Sequence, residues 1–147
     1  MIADVPDWQG STEDNSEAAT LLDLVVELDK GLPLSALDQV VHDVAPEDSG
    51  FAYRLVPRAT LARRRKGVGE AEQARLSPDE GSRVVRLAKV WALAQEVWGD
   101  DQAARAFLFR PHPLLEGRRP VDVVLANEFG RPLVEGILGG LQYGSAV

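Results

Sequence analysis

The segment from Ser77 to Gly99 carries its own start and stop signals, and it constrains the fold more than any other stretch of the chain. Ser77, Pro78 and Glu80 combine a side-chain cap, a proline at the first helical position and an acid three residues after the cap, the pattern of a capping box. Gly99 supplies the stop. Between them Val84, Leu87, Trp91, Ala94 and Trp98 recur at helical spacing, and Val90, Leu93 and Val97 widen that face. A helix this apolar is expected to be buried on two sides, with Trp91 and Trp98 in the core.

The neighbouring segments read as helices too. Ser16 can cap a helix from Glu17 to Lys30 with Leu21, Leu24, Val25 and Leu28 as its stripe, and Gly31 ends it. A second helix begins near Ser35 and runs to about Asp43, carrying Leu37, Val40, Val41 and Val44. Pro46 opens a short turn of helix that includes Phe51, Tyr53 and Leu55, and a basic helix follows from Pro57 to Lys66. After Gly99, Asp100 or Asp101 caps a helix with Ala103, Ala104, Phe107 and Leu108, which Pro111 stops. Pro120 starts a short helix with Val121, Val124 and Leu125, and Asn127 caps a last one ending near Gly139 or Leu141. No stretch alternates apolar and polar residues for more than a few positions, so the fold is expected to be all-α.

The division of the chain follows from these signals. Residues 1–15 read as a flexible acidic arm with Trp8 as a docking residue, and residues 16–66 as a helix-turn-helix domain built on Leu24, Leu28, Leu37, Val41, Phe51, Leu55 and Leu61. Residues 67–75 read as a linker and 76–147 as a second helical domain. At 147 residues and 45% apolar content the chain can bury one medium core or two small ones.

Charge singles out one place. From Arg54 to Lys66 there are six basic residues and no acid, in a chain of net charge −7, so the other 134 residues carry −13. Lys and Arg gain affinity for a polyanion by displacing its condensed counterions, and here they surround Leu61 on a short helix, the layout of a recognition helix. A merely solvated basic face would look the same by charge alone. Up to Gly31 there are eight acids against one base, Lys30, an arm that would repel DNA locally.

Several function classes are disfavoured. The absence of cysteine removes disulfides and thiolate metal sites, and His42 and His112 do not form a ligand pair. There is no nucleophile elbow, phosphate-binding loop or dinucleotide fingerprint, so catalysis and cofactors are not expected. No apolar run reaches the roughly 18 residues of a membrane span, and no secretory leader is apparent, so a cytoplasmic protein is expected.

The string Thr60 to Arg65, followed by Leu76 to Asp100 and Phe107 to Gly144, resembles the Xre/MbcA/ParS antitoxin family. Its most telling pieces are Arg83, Arg86, Leu87 and Ala88 on the long helix, then Pro111, Leu115, Gly117, Arg118, Arg119 and Pro120, and the closing Leu141, Gln142, Tyr143 and Gly144. The chain departs from the family at Gly81 and Ser82, at Phe109 and in its unusually basic run Ala62 to Lys66.

The resemblance implies an N-terminal helix-turn-helix that binds operator DNA, with Arg58, Thr60, Arg63, Arg64, Arg65 and Lys66 as its contacts. It further implies a C-terminal part that occludes a RES-domain toxin, an enzyme that consumes NAD by hydrolysis, phosphorolysis or ADP-ribosylation. The toxin contacts are then expected on the turn Leu115, Gly117, Arg118, Arg119 and Pro120, and on Leu138, Leu141, Gln142, Tyr143, Gly144 and Val147 of the last helix and tail. A homodimer or a larger assembly with toxin is expected. The rival reading is a stand-alone helix-turn-helix regulator whose C-terminal domain only dimerises.

Overall fold

The computed structural model describes residues 12–67 and 75–142, with side chains described for 20–67 and 75–141. Its helices are α1 (Thr12–Lys30), α2 (Leu34–Val44), α3 (Arg58–Lys66), α4 (Pro78–Trp98), α5 (Asp101–Phe109), α6 (Pro120–Ala126) and α7 (Gly130–Gln142). Two 3-10 turns, Phe51–Arg54 and Pro113–Leu115, also lie among the described residues. Among the described residues there is no β-strand, only an isolated bridge between Pro33 and Arg75.

The long helix α4 is the axis on which α1, α2, α5, α6 and α7 all pack. Its capping box forms as the sequence requires: the Ser77 hydroxyl accepts from the Glu80 amide at 3.3 Å, and the Ser77 amide donates to Glu80 Oε1 at 2.8 Å. Gly99 ends the helix with φ +74, a left-handed conformation that glycine adopts without steric penalty. Val84, Leu87, Val90, Trp91 and Ala94 are buried, and they join Leu37, Phe51, Leu55 and Leu61 from the first half and Leu108, Val121, Val124 and Val134 from the second in one continuous core.

Trp98 corrects the sequence reading. It is 42% exposed, because it occupies the final turn of α4 where the helix outruns its neighbours, and its ring leans on Phe107 at 6.2 Å instead of entering the core. Helix α1 also differs. It begins at Thr12, so Ser16 lies inside it and does not cap it. Leu24 and Leu28 are half-buried, whereas Leu21 and Val25 of the expected stripe are exposed along with Leu22 and Val26.

The glycines explain two close approaches. A Cβ on Gly81 would stand 2.9 Å from a Leu28 methyl, so this departure from the family is the seat of α1 on α4. A Cβ on Gly130 would run into the backbone carbonyl of Val123, so α7 begins against α6 at a distance that only glycine permits. By contrast Gly136 and Gly139 face open space.

Candidate functional site

Half of the basic island is structural. Arg64 pairs with Glu80, a buried acid already held in the capping box, and Arg65 grips Asp38 of α2 through two hydrogen bonds of 2.8 and 3.3 Å. Arg54 pairs with Asp122 at 2.9 Å. These contacts fasten α3 and the turn before it to the rest of the molecule. Burial and the adjacent Arg63 lower the Arg64 pKa, while the hydrogen bonds to Asp38 raise that of Arg65.

The remaining cations of the island lie on the outward face of α3. Arg58, Ala59, Ala62, Arg63 and Lys66 are all exposed, and this spacing is one helical stripe. Arg58 rests on the Tyr53 ring at 4.2 Å, a cation–π contact that holds its guanidinium at the surface. Thr60 is half-buried beside Leu61, which anchors the helix in the core. Ala59 and Ala62 put only short side chains between these cations.

A network joins this region to the second half of the chain. Asp122 accepts two hydrogen bonds from Arg119, at 2.8 and 3.0 Å, while also meeting Arg54. Phe51 and Phe109 pack edge to face at 5.9 Å beneath it, with Arg54 over the first ring and Arg119 over the second. The Arg119 hydrogen bonds, then Arg54, hold the Asp122 carboxyl below the usual aspartate range. On α4, Arg83 donates to the Leu55 carbonyl at 3.0 Å and Arg86 to that of Val124 at 3.0 Å, tying both flanks to the axis.

In the second half the turn 112–118 is closed by its own backbone. The His112 amide donates to the Arg118 carbonyl at 3.0 Å, the Leu115 and Gly117 amides donate to His112, and the Arg118 amide donates to Leu115. His112 Nδ1 accepts from the Leu114 amide at 3.1 Å. Beside this turn, α6 and the start of α7 leave a groove of about 580 Å³ lined by Leu114, Leu115, Val123, Phe129 and Leu133. A second cleft of about 920 Å³ is lined by Trp98, Phe107, Arg110, His112 and Leu141.

Residues 16–89 match the family described as the antitoxin Xre-like helix-turn-helix domain, and residues 93–144 match the antitoxin Xre/MbcA/ParS C-terminal toxin-binding domain. The first match alone spans half of the chain. The chain belongs to the Xre/MbcA/ParS antitoxin family. No curated protein matches it. In this antitoxin the two matched parts meet within α4, so a single helix supports both.

The antitoxin places its sequence-derived toxin contacts unevenly. Leu138 is fully buried in the core, as is Val134. Leu115 and Pro120 are also buried, though Leu115 still lines the groove. Gly117 and Arg118 are exposed on the turn, Arg119 is paired with Asp122 while still partly exposed, and Leu141 lies at the rim of the second cleft. Gln142 closes α7; Tyr143, Gly144 and Val147 lie outside the described residues, as do Trp8 and positions 68–74 of the linker. Sequence reasoning missed Leu114, Phe129 and Leu133. Each is an apolar residue beside a turn or on a helix with apolar residues on both faces, where periodicity does not say which face is covered.

Among the described residues no cluster of three or more acids or histidines is placed to hold a metal, and no helix is long and apolar enough to cross a membrane.

Proposed function

We propose that this antitoxin neutralises a RES-domain, NAD-consuming toxin through residues 115–147 and represses its own operon through the outward face of α3. Inhibition is steric and electrostatic, without catalysis or a cofactor: a chain that fills the toxin's substrate cleft displaces NAD. The observation that carries this reading is the division of labour along the chain. The helix-turn-helix part exposes Arg58, Arg63 and Lys66, while the toxin-binding part exposes apolar side chains on a turn and on α7.

On operator DNA the working unit is a dimer, which sets two copies of α3 about one helical turn apart on a palindrome. Arg58, Arg63 and Lys66 serve as the free cations, while Arg64 and Arg65 position the helix. The tail from Gln142 to Val147 is the occluding element, with the Tyr143 ring as the group that blocks the toxin's substrate cleft.

The test is co-expression of the toxin from the neighbouring reading frame with the parent chain or with a chain lacking Gln142 to Val147, scoring growth and cellular NAD. The truncated chain is expected to fold, bind operator and fail to rescue. Full rescue would place neutralisation elsewhere, and an unchanged NAD pool on expression of the toxin alone would remove the NAD-consuming partner.

A further inference from the structure

The groove beside the turn is unusual for a surface. Phe129 is 73% exposed, Leu133 59% and Leu114 56%, and these side chains come from the turn and from the start of α7, two segments that converge on one concavity. Converging exposed apolar side chains of this size mark interaction sites. The platform under them is rigid. Five backbone hydrogen bonds close the turn 112–118, and the Asn127 side chain accepts from the Phe129 amide at 2.9 Å, fixing the segment that carries the phenylalanine.

The same turn stores strain. Glu116 has φ 55, the left-handed region that a non-glycine residue rarely enters, and it is the one described residue other than glycine with positive φ. A surrounding structure sustains such a conformation only by over-determining it, as binding sites often do. Here it lifts the Glu116 carboxylate to the rim of the groove, where Arg118 approaches it at 3.4 Å and solvent reaches the rest.

We infer that this groove is the anchoring site for the toxin, seating an apolar or aromatic side chain of the toxin among Leu114, Phe129 and Leu133, with a toxin cation meeting Glu116. The inference rests on the reading that a toxin is the partner, and it says where and how that partner is held. All of the groove's lining lies within residues 93–144, the part matched to the toxin-binding domain. A preformed groove loses little conformational entropy on binding, which suits an anchor.

The anchor is separate from the tail. Helix α7 runs thirteen residues from Gly130 at the groove to Gln142, a span of roughly 20 Å at about 1.5 Å per residue. Toxin affinity therefore resides largely at the groove and inhibition at the tail. The two are separable by substitution.

The experiment measures binding of the full-length antitoxin to the toxin from the neighbouring reading frame, prepared with an inactivating substitution. Phe129→Asp and Leu133→Asp are each expected to weaken binding by ~30-fold or more, the effect of losing a central apolar anchor. Both should keep parental helicity and operator affinity, since both side chains stand in solvent. Removal of Tyr143 to Val147 is expected to abolish inhibition of the active toxin while leaving the dissociation constant within about threefold of the parent. If both aspartate variants bind toxin as tightly as the parent, the groove is not the anchor. If they instead convert a parental dimer to a monomer with toxin affinity unchanged, the groove belongs to a second copy of this chain and the inference falls. Failure of the parent itself to bind the toxin overturns the underlying reading of the partner, and the anchor with it.

Discussion

Asp122 of α6 stands 2.9 Å from Arg54 of the turn ahead of α3 while accepting both hydrogen bonds of Arg119, so one carboxylate joins the DNA-binding half to the toxin-binding half. Asp122 also lines the groove beside Phe129 and Leu133. A residue that ties the turn ahead of α3 to α6 is thus part of the wall of the groove.

The network has a pH signature. The folded-state pKa of Asp122 is depressed, first by the Arg119 hydrogen bonds, so its contribution is complete above the ordinary aspartate value of about 3.9 and is lost as pH falls through the lower folded value. Asp122→Asn is expected to melt below the parent at pH 7 by an amount equivalent to a few tenths to about 1 kcal/mol, since the carboxylate is partly exposed and solvent screens it. The two melting curves should converge as pH falls below about 4. Thermal melts at a series of pH values check this, and a gap that stays constant into strong acid contradicts it.

Two glycines on α7 should respond in opposite directions. Gly130→Ala forces a methyl group into the Val123 carbonyl, and backbone cannot move aside as a side chain can; a loss of about 1–3 kcal/mol is expected. Gly136→Ala meets nothing within 4 Å and sits inside a helix, so a gain of roughly 0.5–1 kcal/mol is expected. Denaturant unfolding of the two variants beside the parent decides it.

These glycines also show what was legible in the sequence. Local signals carried far: the Ser77 capping box, Pro120 at the start of α6 and the Asp100 cap all formed where the residues required. What the sequence could not carry was the facing of helices with apolar residues on two sides. On α7, Val134 and Leu138 are buried and Leu133 is exposed; on α1, Leu24 and Leu28 are half-buried while Leu21 and Val25 are exposed. The basic island was ambiguous for the same reason. Asp38 and Glu80 lie 27 and 16 residues from the arginines they neutralise, and only the packing of α2, α3 and α4 brings them together.

Trp91 tests the shared axis. It is buried in α4, with Arg105 over its ring at 5.5 Å, and α4 supports both halves of the chain. Trp91→Ala is expected to remove about 3–5 kcal/mol, a large part of the stability of a domain this size. Circular dichroism should record loss of helicity across the whole chain at a temperature where the parent is folded. Retention of parental melting would mean that the ring contributes little to the core.

The last prediction separates the two kinds of arginine on α3. Arg64→Ala leaves Glu80 buried without its cation, so a stability loss of about 1–3 kcal/mol is expected, and operator affinity should fall only as far as the helix is displaced. Replacing Arg58, Arg63 and Lys66 together by alanine removes side chains on an exposed stripe, so stability should change by no more than about 0.5 kcal/mol at each position. If those cations sit on phosphates, the triple variant binds operator more weakly, and the slope of log affinity against log salt becomes shallower by about 0.9 for each phosphate that is no longer neutralised. Fluorescence anisotropy over a salt series reads both quantities. A triple variant with parental affinity and parental salt slope would assign the exposed stripe to solvation and move the DNA-binding surface off α3.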